Sequence, residues 1–280
     1  MLLLLTSFIF LQWRQQEVRH AKEHAQTELQ NLRRNLYLLL GNQQMFTSLI
    51  AQLMEEQIAV GHQPQLDLFE PYFTFLMTNH PSFLTATLAK EDLVIDQFPP
   101  SRVHSIGFSL KHLPQYDQTI MKLDSHGGVI LDGPVYLEDG TVVLVSRASL
   151  YDSSEKYWGL LTLHFNLDEF LMEAGIEQLS HLYRYYFELG HLSGSERFQW
   201  GYDQIMEEDP LVLPIQFSLL SWNIFIAPQS QWHIDTLMRS LYGVLGVLVS
   251  LALGLSTYLR QINFQVLKVR SHTDSLTGLF

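Results

Sequence analysis

The sequence predicts an α+β fold: a long N-terminal helix followed by two small antiparallel sheets that carry helices, flanked by transmembrane helices. Three observations predict it. Residues 14–57 contain no proline and repeat apolar side chains at steps of three and four. From residue 84 the pattern changes to short runs rich in valine, leucine and aromatic residues, separated by turn signals. Leu241–Leu259, "LYGVLGVLVSLALGLSTYL", carries no charge over 19 residues.

The elements follow in order. Met1–Trp13 (1–13) is apolar but short for a membrane span, and it lacks the basic start and small-residue cleavage site of a signal peptide. It reads as an anchor whose start lies upstream of Met1, or as an apolar end that dips into the membrane. Trp13 then marks the interface and Arg14 leaves the membrane. Residues 14–57 form the stalk and long helix. Its seam runs through Leu29, Leu32, Leu36, Leu39, Phe46, Ile50 and Leu53, with Gln43 in the polar slot. Such a stripe belongs either to a coiled-coil seam or to a helix packed on a domain. His20 and His24 lie four apart, but no third ligand stands near them, so a solvated face explains them better than a metal.

Pro64 and Pro71 close this helix, and "EPYFTFLMTNHPSF" reads as a short second one. "FLTATLAKEDLVIDQFPP" predicts strand, turn and strand; "VHSIGFSL" predicts a further extended stretch. "HLPQYDQTIMKLDSHGG" predicts a helix closed by Gly127-Gly128. "VILDGPVYL", "TVVLVSRASLY" and "YWGLLTLHF" predict three strands. "NLDEFLMEAG" predicts a helix capped by Asn166 and stopped at Gly175. "HLYRYYFEL", "ERFQWG", "PLVLPIQFSL" and "SWNIFIAP" add four strands.

Composition narrows the function. Hydrophobic residues are 47% and charged residues 16%, and the formal net charge is −12. Nucleic-acid binding normally needs a basic face, so no nucleic-acid partner is expected. With no cysteine there is no disulfide framework, thiolate metal site or cysteine nucleophile. No G-x-S-x-G elbow or H-E-x-x-H motif occurs among the serines and twelve histidines, so an envelope hydrolase has no motif to stand on. Gly127-Gly128 lacks the Gly-Lys-Ser/Thr of a phosphate loop.

Leu241–Leu259 (241–259) spans roughly 28 Å as a helix, enough for a hydrocarbon core. Arg260, Lys268 and Arg270 follow it and Arg239 precedes it, an asymmetry that places residues 14–238 outside and the C-terminus in the cytoplasm. Gly246, Ser250 and Gly254, spaced by four, suit close packing of two such helices. Residues 260–273 keep three-four spacing through Leu259, Ile262, Val266, Val269 and Thr273, as a signalling helix does.

The strand "TVVLVSRASLYD" holds the most informative charge. Alternation places Val143, Val145 and Arg147 on one face. A guanidinium there needs a partner or a ligand, and its fork suits a carboxylate or phosphate. Candidate ligand-binding residues are therefore Arg147, Ser146, Tyr151 and Asp152. The alternative pairs Arg147 with Asp152, Glu155 or another local acid. Trp158, Tyr185, Tyr186, Trp200 and Trp222 suit a core better than an aromatic cage, and Trp232 suits a membrane interface.

Several stretches, in this order, resemble the CHASE sensor domain of bacterial signalling proteins and plant cytokinin receptors. Tyr157-Trp158-Gly159, Asn166-Leu167-Asp168 and Ala174-Gly175 are similar to its "YWG…D…L…AG" passage. Asp132-Gly133-Pro134-Val135, with Ser146-Arg147 and Tyr151-Asp152, is similar to its "GP…G…R.PVY" passage, except that Ser149 stands where many members carry proline. "LAKEDLVIDQFPP" and "SWNIFIAPQSQW" resemble an earlier stretch and the closing strand. The resemblance covers residues 45–232. It implies a long helix, two PAS-like subdomains and a small ligand, or a periplasmic protein delivering one, bound in the membrane-distal subdomain. Gly107 stands where plant receptors carry an acidic base-contacting residue, so a cytokinin-like ligand is not implied.

"TDSLTGLF" resembles the "D.LTGL.NR" opening of GGDEF domains, which make cyclic di-GMP from two GTP molecules. Residues 274–280 then begin such a domain. His272 is not followed by a kinase phosphoacceptor pattern. No cofactor is expected in these 280 residues; GTP and magnesium enter only with a complete GGDEF domain. The resemblance implies a homodimeric inner-membrane sensor, its input domain in the periplasm, controlling a diguanylate cyclase. The alternative is a membrane-anchored periplasmic binding or adaptor protein without enzymatic output.

Overall fold

A computed structural model of the chain describes residues 2–100, 106–112, 123, 128–137, 139–191, 197–229, 232 and 236–272. It divides into two units, Ala25–Gln229 and Met1–His24 with Ser230–Phe280.

Helix α1, Leu2–Ala59, is continuous across the predicted stalk. Within the first unit its buried positions are Ala25, Leu29, Leu32, Leu36, Leu40, Gln43, Thr47, Ile50, Ala51, Met54 and Ile58. The expected seam through Leu39, Phe46 and Leu53 is displaced; these three flank the seam and are half-buried. The reason is the period. A coiled coil repeats every 3.5 residues, whereas a straight helix lying on a domain repeats every 3.6, so the contact line drifts by about 20° per heptad and more of the steps become four. Between the alternatives left by the stripe, the helix packed on a domain holds for this stretch.

A 3-10 turn, Leu66–Phe69, leads into α2, Glu70–Asn79, with Pro71 in its first turn. Five strands follow as one antiparallel sheet: β1 (Phe83–Lys90), β2 (Leu93–Phe98), β3 (Val129–Tyr136), β4 (Val142–Tyr151) and β5 (Tyr157–Asn166), in the order β2-β1-β5-β4-β3. Gly159 is required where β5 meets β1, because a Cβ there would sit 2.0 Å from the Ala89 carbonyl oxygen. Helix α3, Leu167–Glu173, starts where the Asn166 side chain accepts from Glu169 N at 3.0 Å. Gly175, at φ +97°, turns the chain into α4, Ile176–Ser180. The second sheet comprises β6 (Tyr183–His191), β7 (Arg197–Gly201), β8 (Leu211–Phe217) and β9 (Leu220–Pro228), in the order β7-β6-β9-β8. The predicted α+β fold with two PAS-like sheets is present.

One expected element is absent. "VHSIGFSL" forms no strand where it is described: Ile106-Gly107 is a turn, Ser109 makes a single bridge to Leu93, and a 3-10 turn covers Leu110–His112. Gly107 N–H bonds Val94 O at 2.9 Å and Val94 N–H bonds Phe108 O at 3.0 Å. Leu110 N–H continues the pairing to Asp92 O at 2.7 Å, and the chain then closes into the 3-10 turn. The predicted helix over 112–128 falls almost wholly outside the described residues; Leu123 is helical and buried, and Gly128 N–H bonds its carbonyl at 2.8 Å.

Helix α1 is tied to both sheets. Thr47 Oγ1 and Ser146 Oγ, both fully buried, lie 2.7 Å apart on β4. Gln44 Nε2 reaches Val129 O at 3.5 Å on β3, Asn35 Nδ2 donates to Ala174 O at 3.1 Å, and Tyr37 Oη donates to Gln216 O at 2.9 Å on β8.

In the second unit, α5 runs from Thr236 to His272. Its stretch Gly243–Lys268 is long and apolar enough to cross a membrane, and no residue of it is buried. The helix passes the predicted span without a break and continues through the expected signalling segment; Thr273 and residues 274–280 lie outside the described residues. Lys22 Nζ lies 5.5 Å from the Trp232 ring centroid within this unit. The side chains of Met1–Leu11 and Trp13 lie outside the described residues, so the expected anchor is described only as helix.

Candidate functional site

Strand β4 is buried on both faces, and its two faces do different work. Leu144, Ser146, Ala148 and Leu150 alternate toward α1, where Ser146 meets Thr47. Val143, Val145, Arg147 and Ser149 turn to the opposite face. Cross-strand pairing carries that face across the sheet. Arg147 pairs with Ile130 on β3 and Thr162 on β5; Ser149 pairs with Leu160; Thr162 and His164 pair with Thr87 and Thr85 on β1; Thr87 pairs with Gln97 on β2. Most of the sheet's buried hydrogen-bonding side chains sit here: Thr85, Thr87, Gln97, Ser149 and Thr162 are all 9% exposed or less. A sheet face meant only for packing would be apolar, since each buried hydroxyl costs about 1–3 kcal/mol when left unpaired.

Arg147 Nη1 donates to Asp132 Oδ2 on β3 at 2.7 Å, with both side chains 14–17% exposed. The partner is neither Asp152 nor Glu155. Asp132 Oδ1 accepts from Gly133 N at 2.8 Å, which fixes the carboxylate against the strand. His164 Nδ1 lies 3.1 Å from Thr85 Oγ1. Burial, and then the Arg147 charge, push the His164 imidazole down to about 4, and the Thr85 contact opposes them. At neutral pH the imidazole is therefore uncharged and the Arg147–Asp132 pair cancels. The face presents donors and acceptors with no net charge. Among the described residues, Ser149 Oγ is buried without a hydrogen-bond partner. A native structure rarely leaves such a hydroxyl bare, and a ligand or ordered water is the ordinary remedy.

Beside Ser149 the face becomes apolar. Ala89, Val94, Ile130 and Leu160 from four strands form one cluster with Leu123 and Leu219, and Leu110 packs against it.

The four candidate ligand residues are thus not brought together. Arg147 faces the polar surface and Ser146 faces α1. Tyr151 and Asp152 lie at the β4–β5 turn, in an open groove of about 640 Å³ lined also by Gln52, Glu55, Glu56 and Glu155. The acids there have structural work: Glu55 accepts from Tyr151 N at 2.9 Å, and Asp152 Oδ1 accepts from Ser154 N and Lys156 N at 2.8 and 3.0 Å. Sequence reading missed Asp132, His164, Thr85 and Ser149 as members of the site. Alternation within a strand is legible, but register between strands is set by tertiary structure. Ser149 carried a weak signal, as the departure from proline in the resemblance.

The aromatic residues divide as a core does. Trp222 is buried against Phe170 at 6.4 Å, Tyr185 stacks on Trp200 at 5.3 Å, and Trp158 sits alone on the first sheet with Lys90 Nζ 5.8 Å away. A Cβ added at Gly246 or Gly254 meets nothing within 4 Å, and Ser250 Oγ donates to Gly246 O at 2.8 Å, so the small-residue face of α5 is open. Among the described residues, no group of three or more His, Asp or Glu is placed to hold a metal.

No protein-family model matches the chain, and no curated protein matches it. Solved structures do. An extracellular ligand-binding receptor from Desulfohalobium retbaense aligns at 11% identity and TM-score 0.51; the match covers 70% of this chain but only 39% of that one. The ligand-binding domain of the Pseudomonas aeruginosa amino-acid chemoreceptor PctB, in complex with L-Arg, aligns at 14% identity and TM-score 0.49, over 73% of this chain and 94% of that one. The periplasmic sensory domain of the Campylobacter jejuni chemoreceptor Tlp1 aligns at 10% identity and TM-score 0.47, over 80% and 98%. At such identities the likeness is one of fold alone: this chain shares the fold of the part of the Desulfohalobium receptor that it covers, about two fifths of that chain.

Proposed function

We propose that the chain is the input half of a membrane-bound bacterial sensor, and that the Arg147 face of the first sheet binds its ligand. The observation that carries the reading is the buried polar surface itself: a compensated Arg147–Asp132 pair, an uncharged His164 and, on the same sheet face, a Ser149 hydroxyl unpartnered among the described residues. Its chemistry favours a small polar molecule without net charge. An anion has to displace Asp132 from Arg147 first. The fold, shared in part with an extracellular ligand-binding receptor, and the apolar stretch Gly243–Lys268 support a membrane-anchored sensor, and the basic residues Arg260, Lys268 and Arg270 support a cytoplasmic C-terminus. The apolar end at 1–13 acts as the second anchor.

Output is a finer step. The resemblance of Asp274–Leu279 to a GGDEF opening supports control of cyclic di-GMP synthesis, with GTP and magnesium used by that domain. A homodimer packed through Gly246, Ser250 and Gly254 would bring two such domains together. Sequencing the gene past codon 280 tests this step: an Asn-Arg pair and a G-G-[DE]-E-F signature in frame support it, and a stop codon leaves a membrane-anchored binding protein instead.

The binding face is tested with the full chain in lipid nanodiscs. Thermal melting is followed against a panel of uncharged, zwitterionic and anionic small molecules. A binder at a hundredfold its Kd stabilises the folded state by about 2.7 kcal/mol. That gain should disappear in Ser149→Val and Arg147→Ala. A stabilisation that persists in both variants moves the site elsewhere.

A further inference from the structure

The turn between β8 and β9, Ser218-Leu219, belongs in sequence to the second sheet and in packing to the first. Leu219 is 5% exposed and lies in the apolar cluster made by Ala89, Val94, Ile130 and Leu160 on the Arg147 face. The same turn holds the outer edge of β3 by its backbone. Leu131 N–H donates to Ser218 Oγ at 3.1 Å, and Leu219 N–H donates to Leu131 O at 3.4 Å. The next residue, Asp132, is the partner of Arg147. Ser218 adopts φ +51°, a conformation that a serine rarely takes unless its surroundings fix it. Helix α1 grips the same hairpin, with the Tyr37 hydroxyl on Gln216 O and the Tyr37 and Phe217 rings 5.8 Å apart. From the turn, β9 leads to Pro228, and the chain enters α5 at Thr236.

We infer that Leu219 is the contact through which the ligand face is read: occupancy beside Ser149 and Arg147 displaces Leu219, and the β8–β9 hairpin carries the change toward α5. The inference rests on the binding-face reading above. Two properties suit Leu219 to the task. It is a side chain of one sheet inside the apolar cluster of the other, so a ligand that repacks the cluster moves it without an intermediary. Its backbone is bonded to β3 beside the charge pair, so a shift of Asp132 reaches it by a second route. Packed clusters rearrange between discrete arrangements rather than deforming smoothly, which lets a small change register as a switch.

Amide hydrogen exchange on the full chain in nanodiscs tests this, because the Leu131 and Leu219 N–H groups are themselves the hydrogen bonds in question. Ser149→Leu serves as a permanent occupant of the face. The expected result is exchange at Leu219 and along Leu220–Ala227 faster by about tenfold or more, with β7 unchanged. If Ser149→Leu perturbs β1–β5 while Leu219 keeps its wild-type rate, the coupling is overturned and the binding face stands. If Ser149→Leu does not fold, Leu219→Ala reads the contact from the other side. Faster exchange at Leu131 supports the coupling, and an unchanged rate there overturns it. Small-molecule melting of the wild type is independent of both. Should no molecule stabilise the chain while Ser149→Leu loosens Leu219, the binding-face reading fails and the contact is mechanical only.

Discussion

His164 makes the sheet face sensitive to acid, with a sign that can be worked out. Its folded value is held down to about 4 from an ordinary 6.5, by burial first and the Arg147 charge second. Above pH 6.5 the imidazole is neutral in both folded and unfolded chains and contributes nothing. As pH falls through 6.5 the unfolded chain takes a proton that the folded chain refuses, so the fold loses stability. The loss is about 2 kcal/mol at pH 5 and levels off near 3 kcal/mol below pH 4, where the folded imidazole also protonates. For a unit of about two hundred residues, 2 kcal/mol corresponds to roughly 4–8 °C in melting temperature. The perturbation is His164→Gln, which keeps a polar side chain and removes the titration. Calorimetry of both proteins at pH 8 and pH 5 isolates His164 from the other carboxylates and histidines, which they share. The wild type should lose about 2 kcal/mol more than the variant between these conditions. Parallel melting curves, or an imidazole resonance that vanishes in the variant and titrates near 6.5, would refute the argument that burial and Arg147 suppress the charge.

Other expectations follow from single contacts. Gly159→Ala should unfold the first sheet or cost at least about 3 kcal/mol in chemical denaturation, because its Cβ meets backbone, which cannot rotate away. Thr47→Val should cost about 1–3 kcal/mol by leaving the Ser146 hydroxyl buried and unpaired, with Ser146→Ala largely offsetting the loss in the double variant. Arg147→Ala should destabilise by about 2 kcal/mol in the same assay, since Asp132 keeps its charge in a mostly buried place; Asp132→Asn should raise the affinity for anionic molecules by freeing the guanidinium. A two-residue insertion after Leu259 rotates the following helix by about 200°, whereas seven residues nearly restore its phase. If the proposed output is attached, cellular cyclic di-GMP should change with the first insertion and return with the second.

Much of this architecture was legible in the sequence because its signals are local. The helical character of α1, the strand alternation in "VVLVSRASLY", the Asn166 cap and the Gly175 stop each act over a few residues, and each stands where expected. What failed depended on partners distant in the chain. The α1 seam shifted from Leu39 and Phe46 to Leu40 and Thr47 because the helix wraps a domain rather than a second helix. "VHSIGFSL" has the composition of a strand, but its described residues form one bridge to β2 and then a 3-10 turn. The solvated acids near Arg147 in sequence, Asp152 and Glu155, were natural partners on paper. Asp132 won because register places β3 beside β4, and a sequence shows alternation without register.

The two sheets also differ in a way that favours the first as the proposed ligand face. Each has a face turned away from the helical core, and the two are filled differently. In the second sheet that face holds Tyr186 and Phe225, with ring centroids 5.8 Å apart, and Ile205 from the 3-10 turn Asp203–Glu207 seals them together with Ala227. Arg184 fastens the cover: it pairs with Glu208, donates to Pro228 O at 3.1 Å and lies 5.3 Å from the Tyr202 ring centroid. A face closed by two aromatic rings and a buried isoleucine is filled chiefly by the chain's own apolar side chains, although Arg184 Nε beside it is buried without a hydrogen-bond partner among the described residues. The corresponding face of the first sheet carries threonines, a serine, a histidine and a charge pair, and leaves the Ser149 hydroxyl without a partner among the described residues. Burying that many polar groups weakens a small domain unless something else completes their hydrogen bonds. The sheet whose outward face is the more polar is the one a polar ligand suits, and it is the one into which Leu219 reaches from the other.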